Sequence, residues 1–370
     1  MSIVHIRKAT YEDQIIRAAV AEMLSSADAP AVESGARVLL KPNFLAPARP
    51  EKAMTTHPSV IRAVAEYMLE KGARVQISDS PAMGSFSKLL NTGGYEKALK
   101  GLDVTIKPFT ETISIHVGEP FGFIDVAKDA IESDYVINLA KYKTHTQMLL
   151  TIGVKNMFGC IVGLKKPEWH MRAGVDREMF GRLIVSICEA TNPSYTIVDG
   201  ILAMEGQGPG KSGIPRQLGV LLGGKSPHAV DRVACHLLGL NPDKLETQRS
   251  AIKMGVYDGK FQLDGELDIV TDFQLPDLGS LSMGPPVLNR FMRKYVIQQP
   301  AVDKEICKLC GECWKICPAA AILHSNKTIT FNTKACIRCY CCLEVCPHAA
   351  IHAIKPWGGK VADWLLRYRS

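Results

Sequence analysis

Cysteines are concentrated near the carboxyl end of the chain, where their spacing could hold a metal cluster. Nine of the twelve lie between Cys307 and Cys346. Eight of these form two runs of one pattern, C-x2-C-x2-C-x3-C-P: Cys307, Cys310, Cys313 and Cys317, then Cys336, Cys339, Cys342 and Cys346. Three thiolates at this spacing can wrap one face of an iron–sulfur cube, while the fourth, turned away by the following proline, reaches a second cube. The pattern therefore predicts iron–sulfur chemistry.

The two runs together resemble a two-cluster bacterial ferredoxin. That resemblance implies two [4Fe-4S] clusters with crossed ligands: Cys307, Cys310, Cys313 and Cys346 for cluster 1, and Cys336, Cys339, Cys342 and Cys317 for cluster 2. PAAAI and PHAAI follow the two runs, and the first cysteines of the runs are 29 positions apart (336 − 307), which indicates an internal duplication. A module this small has little core, so metal binding would supply much of its folding free energy.

Other uses of these cysteines are weighed against the clusters. Zinc sites also use CxxC pairs, but zinc ribbons do not need four-cysteine runs that end in Cys-Pro. Disulfides are disfavoured in a chain that has no evident export signal. Cys341 departs from the pattern and is interpreted as a bystander thiol beside Cys342, with ligand exchange as the alternative. Between the runs, a short hairpin is expected to cover the clusters with its apolar side chains: Ile322, Leu323, Ile329 and Phe331.

Composition and charge restrict what the rest of the chain can do. The 370 residues are 46% hydrophobic and 22% charged, as in a folded globular enzyme, and no apolar run reaches the length of a membrane span. Residues 301–370 carry ten Lys or Arg against five Asp or Glu, and the first 300 residues carry 34 against 32. This balance argues against nucleic-acid binding. The charged N-terminal residues lack a signal-peptide pattern, so we expect a cytoplasmic location.

Upstream of the cysteines, short β-rich runs alternate with amphipathic helical stretches, which is typical of an α/β domain with a mostly parallel sheet and flanking helices. Strands are predicted at 36–44, 73–79, 133–141, 195–200, 218–224 and 267–272, and helices at 58–72, 179–191 and 228–238. The resulting organisation is an α/β domain over 1–272, a linker or crossover over 273–301, a small α+β ferredoxin-like iron–sulfur module over 302–356, and a tail over 357–370.

Polar residues follow the predicted strands and could converge on a ligand site. In open α/β sheets, ligands bind beyond the carboxyl ends of the strands. Here those ends carry Lys41, Asn43, Asp79, Lys141, Lys143, His145 and Asp199. Each alone is more often a turn former or helix cap. Several together, two of the strand ends bearing lysines, favour a site.

A basic, glycine-containing segment from Lys141 to Arg172 supports an anion site. Its six cations face one acidic residue, Glu168, and it also carries Lys155 and Asn156. Glycines allow close backbone approach, and lysines bind carboxylate or phosphate. A solvated basic face is the alternative. The loop Glu205–Gly213 is expected beside this site, and Asp231 could face the site or stabilise its own helix.

Four stretches of the first domain, KPNF, THPSVIRAV, KYKTHTQMLLTIGVKNMFG and DGILAMEGQGPG, resemble the family catalogued as domain of unknown function 362 over roughly residues 37–240. Members are commonly fused to a ferredoxin module. The resemblance implies an α/β fold and assigns no chemistry.

Two functions follow from these features. The first is an iron–sulfur oxidoreductase of anaerobic metabolism. It would receive single electrons from a redox partner protein or another low-potential donor. It would use them to reduce an anionic small molecule, or a bound organic cofactor, in the α/β domain. His145 is then the leading proton donor with Lys143 beside it, because imidazole titrates near neutral pH. Binding residues would be Lys41, Asn43, Asp79, Lys141, Lys155, Asn156 and Asp199.

The second function is a non-enzymatic electron-transfer or assembly protein whose large domain docks a redox partner. A metal site at Cys160, His145 and His170 is a further possibility. The substrate, a flavin, the direction of electron flow and the oligomeric state are left open by the sequence.

Overall fold

The α/β part of the chain is built around a mixed sheet. The structure, a computed structural model, describes residues 1–163, 165–173, 176–276, 295, 298–358 and 360–361. Within them, nine strands form the sheet: β1 (Ser2–Lys8), β2 (Arg37–Pro42), β3 (Arg74–Ile77), β4 (Val104–Ile106), β7 (Tyr135–His145), β8 (Leu149–Thr151), β9 (Tyr195–Gly206), β10 (Gly213–Gly224) and β11 (Phe261–Asp264). A separate hairpin is formed by β5 (Thr112–His116) and β6 (Phe123–Ala127).

The strand order is β11-β1-β10-β9-β7-β2-β3-β4, with β8 paired to β7. The pairings from β9 through β4 are parallel, as is β1 with β11, whereas β10 is antiparallel to both its neighbours. Because β2, β3, β7 and β9 are parallel, their carboxyl ends lie at one edge of the sheet. This confirms the predicted α/β class with a mostly parallel sheet.

Helices cover both faces of this sheet. They are α1 (Asp13–Leu24), α2 (Pro58–Glu70), α3 (Phe86–Thr92), α4 (Tyr95–Ala98), α5 (Lys128–Glu132), α6 (Gly153–Asn156), α7 (Lys165–Ala173), α8 (Arg177–Thr191), α9 (Pro227–Leu237) and α10 (Glu246–Lys253). On one face, α1 and α2 bury Ile16 and Val64 against Leu40. On the other face, α8 and α9 bury Leu183 and Val230. Apolar positions at helical spacing thus form two cores, one on each side of the sheet.

The predicted strands and helices are mostly found. Residues 267–272 were expected as a strand, but they form no sheet pairing, and the strand near them is β11 at Phe261–Asp264. Pairing with a neighbouring strand determines which extended segment joins a sheet, so isolated β-propensity decides little there. Several elements were not predicted, among them β1, β4, the hairpin of β5 and β6, and α1.

The cysteine-rich module is a pair of short two-stranded sheets with two short helices. Its elements are β12 (Gln299–Val302), α11 (Glu312–Lys315), β13 (Ile322–His324), β14 (Ile329–Phe331), α12 (Cys341–Val345) and β15 (Ile351–Ile354). β12 pairs with β15, so the first strand begins at Gln299, before the predicted boundary at 302. Most of the predicted linker (273–301) and of the tail (357–370) lies outside the described residues.

The predicted hairpin between the cysteine runs is formed by β13 and β14. Ile322 and Ile329 are buried and Phe331 is partly buried, as expected. Leu323 was expected to cover the clusters, but it is 59% exposed. Successive side chains of a strand point to opposite faces, so Leu323 must face away when Ile322 faces inward.

Candidate functional site

A cavity of about 430 Å³ lies between the carboxyl edge of the sheet and the cysteine-rich module. Strands β2 and β7, the turn after β3, helices α6 and α7, and module helices α11 and α12 all contribute to its wall. Predicted site residues that line it are Lys41, Asn43, Asp79, Lys143, His145, Lys155 and Asn156. The structure therefore brings together seven of the nine residues predicted for the α/β site.

Lys41 and Asp79 form a buried ion pair in the cavity wall. Lys41 Nζ lies 2.8 Å from Asp79 Oδ1, and both side chains are almost fully buried. Lys41 Nζ also donates to the carbonyl of Pro42, while Asp79 Oδ2 accepts from the amide of Phe44. The charge of Lys41 is thus compensated within the protein, so Lys41 shapes the wall and is not a free anion ligand.

A chain of hydrogen-bonded amide side chains, the amide ladder, connects Lys143 to Asn43, Asn156 and Asn138. Lys143 Nζ donates to Asn43 Oδ1 at 2.7 Å and to the carbonyl of Met54 at 2.6 Å. Asn43 Nδ2 donates to Asn156 Oδ1, and Asn156 Nδ2 donates to Asn138 Oδ1. Burial, together with nearby Lys155, holds the pKa of Lys143 well below its usual range. These bonds fix the direction of each side chain and make Lys143 a positioning residue.

Asp231 anchors the helical turn α6, which carries two of the cavity residues. Its carboxylate accepts hydrogen bonds from the amides of Gly153 (2.7 Å) and Val154 (3.1 Å). Burial raises the pKa of Asp231 to about 7, while the two amides oppose that shift. Asp231 therefore does not face the ligand cavity. It holds the amino end of α6 and so orients Lys155 and Asn156.

Lys155 is the cation with spare binding capacity. Within the described residues its ammonium has no hydrogen-bond partner, and it lies 5.8 Å from the centre of the Phe158 ring. Burial lowers the pKa of Lys155, and the facing carboxylate of Glu344 opposes that shift. The Lys155 side chain is half-buried and lines the cavity, so an anion there would supply the acceptor that its ammonium lacks among the described residues.

His145 is held as a neutral imidazole that faces the module. Its Nδ1 accepts from the amides of Gln147 and Met148, so the ring proton lies on Nε2, which is 3.1 Å from Glu344 Oε1. The distance fits a contact, but neither atom has a well-aligned hydrogen bond. Burial lowers the pKa of His145 to about 4. This direction differs from the neutral-pH titration assumed for the imidazole, because desolvation disfavours the imidazolium.

Other titratable residues that line the cavity were not predicted to bind the anion, among them Glu344, Lys166 and His170. Burial opposes ionisation of Glu344, but His145 and Lys155 act more strongly and lower its pKa. Burial lowers the pKa of Lys166 to about 8 and that of His170 to about 3. Glu344 lies in α12 between two cluster cysteines, and no sequence signal indicates that this helix packs against the cavity.

Two predicted site residues, Lys141 and Asp199, do not line the cavity. They pair with each other at 2.6 Å and are almost completely buried. Tyr11 donates to Asp199 at 2.8 Å and stacks on His57 with ring centres 3.6 Å apart. Lys141 is three positions beyond Asn138 on β7 and therefore lies on the opposite face of the sheet. The register of β7 with β9 shifts between Lys141 and Lys143, so Lys143 and His145 reach the cavity although Lys141, two positions earlier, does not.

The cysteines of the module line two small cavities. One is lined by four thiols from both runs: Cys307, Cys310, Cys313 and Cys346. The other is also lined by thiols from both runs: Cys317, Cys336, Cys339, Cys341 and Cys342. Each cavity therefore has three cysteines of one run and the last cysteine of the other, the donor set that an iron–sulfur cube requires. Cys341 also lines the large cavity, so the second thiol cavity and the large cavity share this side chain.

The possible metal site at Cys160, His145 and His170 is not formed. Cys160 is fully buried beside Lys41 and Asp79, and burial raises the pKa of its thiol to about 12. Across the described ranges, a different group has three potential ligand atoms within 4.8 Å of one another: Cys188, Glu189 and His228. This group lies away from the cavity.

The glycine-rich loop after β9 contacts the module. The amide nitrogen of Gly208 donates to Thr144 Oγ1 at 3.2 Å. A side chain at Gly210 would lie 3.1 Å from the carbonyl oxygen of Glu344, and Lys211 Nζ donates to the carbonyl of Pro347 at 2.6 Å. The absence of a side chain at Gly210 therefore allows α12 to approach closely enough for Glu344 to reach the cavity.

Substituting Gly159 by Ala should disturb the cavity wall. A Cβ there would approach Lys41 Nζ and Asp79 Oδ1 well inside 3.0 Å. We expect a loss of about 1–3 kcal/mol in the free energy of unfolding, as for other overpacked sites. Urea unfolding measures it. A variant with the same free energy of unfolding as the wild-type protein would show that the wall tolerates the extra methyl group.

Comparisons with known proteins agree with this architecture. Residues 38–236 match the family described as domain of unknown function (DUF362), and residues 299–347 match the 4Fe-4S dicluster domain. The second match supports an iron–sulfur cofactor and electron transfer in the module; neither description includes a flavin. In the described residues, helices fall short of the length and apolar character that a membrane span requires.

Similar proteins include a thylakoid-associated protein of Synechocystis sp., 36% identical over 274 residues that cover 72% of this chain and 85% of the relative. Among solved structures, the lactate racemase apoprotein of Thermoanaerobacterium thermosaccharolyticum has a TM-score of 0.37 at 11% identity, covering 55% of this chain and 51% of that one. A Thermotoga maritima protein has a TM-score of 0.38 at 14% identity, covering 61% and 58%. This chain thus spans little more than half of either solved structure. Given the match over 38–236 and the 36% identical relative, the chain belongs to the DUF362 family and joins that domain to a 4Fe-4S dicluster domain.

Proposed function

We propose that this protein is an iron–sulfur oxidoreductase in which two [4Fe-4S] clusters pass single electrons to an anionic small molecule held in the cavity. One observation carries the proposal: Cys341 lies in the wall of the large cavity and in the wall of the second thiol cavity. A ligand in the large cavity would therefore be separated from cluster 2 by little more than one side chain.

The charge of the cavity indicates an anion. Its wall holds five lysines and three carboxylates: Lys41, Lys143, Lys155, Lys166 and Lys315, with Asp79, Glu312 and Glu344. Lys41 is paired with Asp79, and Lys143 is bonded to neutral groups. Lys155 is left to bind the anion, with apolar contacts from Phe44, Met83 and Phe158 for the rest of the molecule. A volume of about 430 Å³ fits a small organic molecule.

The clusters, when bound, supply one-electron reduction. The chain's own groups bind and orient the ligand. Lys155 would form a charge-assisted hydrogen bond to the anion. His145, neutral and proton-bearing at Nε2, can donate a hydrogen bond to charge that develops on the ligand, and Glu344 would stabilise the ring if it became positive. The module excludes water by closing one side of the cavity.

The burial of these side chains distinguishes the proposal from a docking protein. A domain that only docks a partner would present its cations on an open face, whereas Lys143 and His145 are each 1% exposed. Convergence of buried polar side chains in a cavity favours a small-molecule ligand. The direction of electron flow and the cytoplasmic location stay predictions.

Anaerobic purification followed by mass spectrometry of small molecules released on denaturation tests the ligand directly. We expect one organic anion at a substantial fraction of the protein concentration, and its loss from a Lys155→Met variant that retains its iron. Cluster-loaded protein that releases no small molecule, and that binds neither benzoate nor phosphate at millimolar concentration, would contradict the proposal.

Anion binding should weaken as the pH rises past about 8. Burial lowers the pKa of Lys166 to about 8 and also lowers the pKa of Lys155, so both cavity lysines lose their charge at a lower pH than an exposed lysine does. Bound anion favours the protonated form, so affinity is highest at lower pH and falls as the lysines deprotonate. Calorimetric titration with benzoate from pH 6.5 to 9.5 measures this. Constant affinity across the range would show that the lysines keep ordinary pKa values.

A further inference from the structure

The two thiol cavities differ in their access to solvent. In the cavity assigned to cluster 1, Cys310 is exposed, Cys307 is partly exposed, and Cys313 and Cys346 are buried. In the cavity assigned to cluster 2 no cysteine is exposed: Cys317 and Cys336 are partly exposed, and Cys339, Cys342 and Cys341 are buried, Cys341 also reaching the ligand cavity. One cluster site therefore lies near the outer surface, and the other lies near the proposed substrate.

Exposed groups around the first thiol cavity are basic or apolar. Among the described residues, Lys308 is the charged residue that lines this cavity, and it is exposed. Lys211 is exposed and donates to Pro347, which also lines the cavity. Ile306, next to Cys307 in the chain, is 41% exposed.

Acidic groups near this surface do not pair with its lysines. Asp303 accepts hydrogen bonds from the amides of Glu305 and Ile306, which orient its carboxylate and leave its charge in place. Glu312 lies 3.7 Å from Lys315 and lines the ligand cavity. In the described part of the chain neither Lys308 nor Lys211 has a carboxylate within ion-pair distance, so both ammonium groups are available to a partner.

We propose that the surface around Cys310, defined by Ile306, Lys308, Lys211 and His348, is the electron-input face and docks an acidic one-electron carrier protein. This inference rests on the proposed function and adds the side from which electrons arrive. The reduced carrier loses one electron, the oxidised cluster 1 gains it, and no proton is transferred. Cluster 1 then passes the electron to cluster 2, which adjoins the ligand cavity. Basic groups around the first cluster would steer the acidic carrier and set its orientation.

Stopped-flow reduction of the cluster-loaded protein by flavodoxin hydroquinone, an acidic one-electron carrier, tests the docking face. Bleaching of the cluster absorption gives a second-order rate constant. We expect it to fall with rising ionic strength and to fall at least tenfold in the double variant Lys308→Glu, Lys211→Glu. Lys327→Glu is the matched control, because Lys327 is exposed at the turn between β13 and β14, and it should change the rate less than twofold.

Two further measurements keep the outcome interpretable. Iron content and visible absorption show whether the double variant is loaded, and dithionite, a small reductant, should reduce it at the unaltered rate. Equal losses in the double variant and in Lys327→Glu, or a rate that is independent of salt, would overturn the docking face. Benzoate affinity reports on the ligand cavity separately, so failure here and failure of the proposed function can be distinguished.

Discussion

Cys346→Ser is expected to abolish the cluster bound by Cys307, Cys310 and Cys313, and to spare the other cluster. Although Cys346 closes the second run, its side chain lines the cavity of the first. Iron and acid-labile sulfide should each fall from about eight to about four per chain, because one cube of about four iron and four sulfide is lost. Cys317→Ser should remove the opposite cluster, since Cys317 lines the second thiol cavity.

The two variants can be distinguished by electron paramagnetic resonance of the reduced protein, because each should retain a different single-cluster spectrum. Cys341→Ser is the control, and it should keep both clusters if Cys342 is the ligand. Loss of the cluster of its own run in either variant would refute the crossed assignment. Two zinc atoms without sulfide in the wild-type protein would refute clusters altogether.

Spacing alone makes the module predictable. In a C-x2-C-x2-C-x3-C-P run, local backbone geometry places the first three thiols, and the Cys-Pro at its end indicates that the fourth thiol serves the other run. The same holds for β2 and α2, where an apolar run and a proline at the first helical position define the elements. Parallel strands then bring Lys41, Asn43 and His145 to one edge of the sheet, which the sequence predicts without any knowledge of the side-chain contacts.

What could not be predicted depends on contacts between distant segments. Glu344 reaches the cavity because the loop at Gly210 allows the module to pack closely, and neither residue carries a signal for that contact. Lys141 and Lys143 look equivalent in sequence, yet Lys141 pairs with Asp199 on the other face, while Lys143, which follows a register shift in β7, bonds to Asn43 at the cavity. Charge patterning identifies a basic segment, and only the packing shows which cations are already paired.

Lys155→Met should weaken anion binding and leave the fold intact. Among the lysine substitutions at the cavity that preserve the fold, it should have the largest effect on binding. Lys41→Met would leave Asp79 buried without its partner, which destabilises the protein by about 3–5 kcal/mol and obscures any effect on the ligand. Lys143→Ala would free Asn43 Oδ1 and disturb the amide ladder. Lys155, in contrast, has no hydrogen-bond partner within the described residues, and methionine retains its apolar contact with Phe158.

The size of the effect follows from the interaction lost. A charge-assisted hydrogen bond contributes about 1.5–3 kcal/mol, so the dissociation constant for benzoate should rise roughly ten- to hundredfold in Lys155→Met. Lys165→Met is the control, because Lys165 is partly exposed and paired with Asp125 outside the cavity wall. The benzoate affinity of this variant should differ less than twofold from that of the wild-type protein. Iron content and cluster absorption should be unchanged in both variants, since neither lysine lines a thiol cavity. If Lys155→Met binds benzoate as tightly as the wild-type protein does, the cavity does not recognise anions through its free lysine, and the positive charge around it serves only to hold the fold.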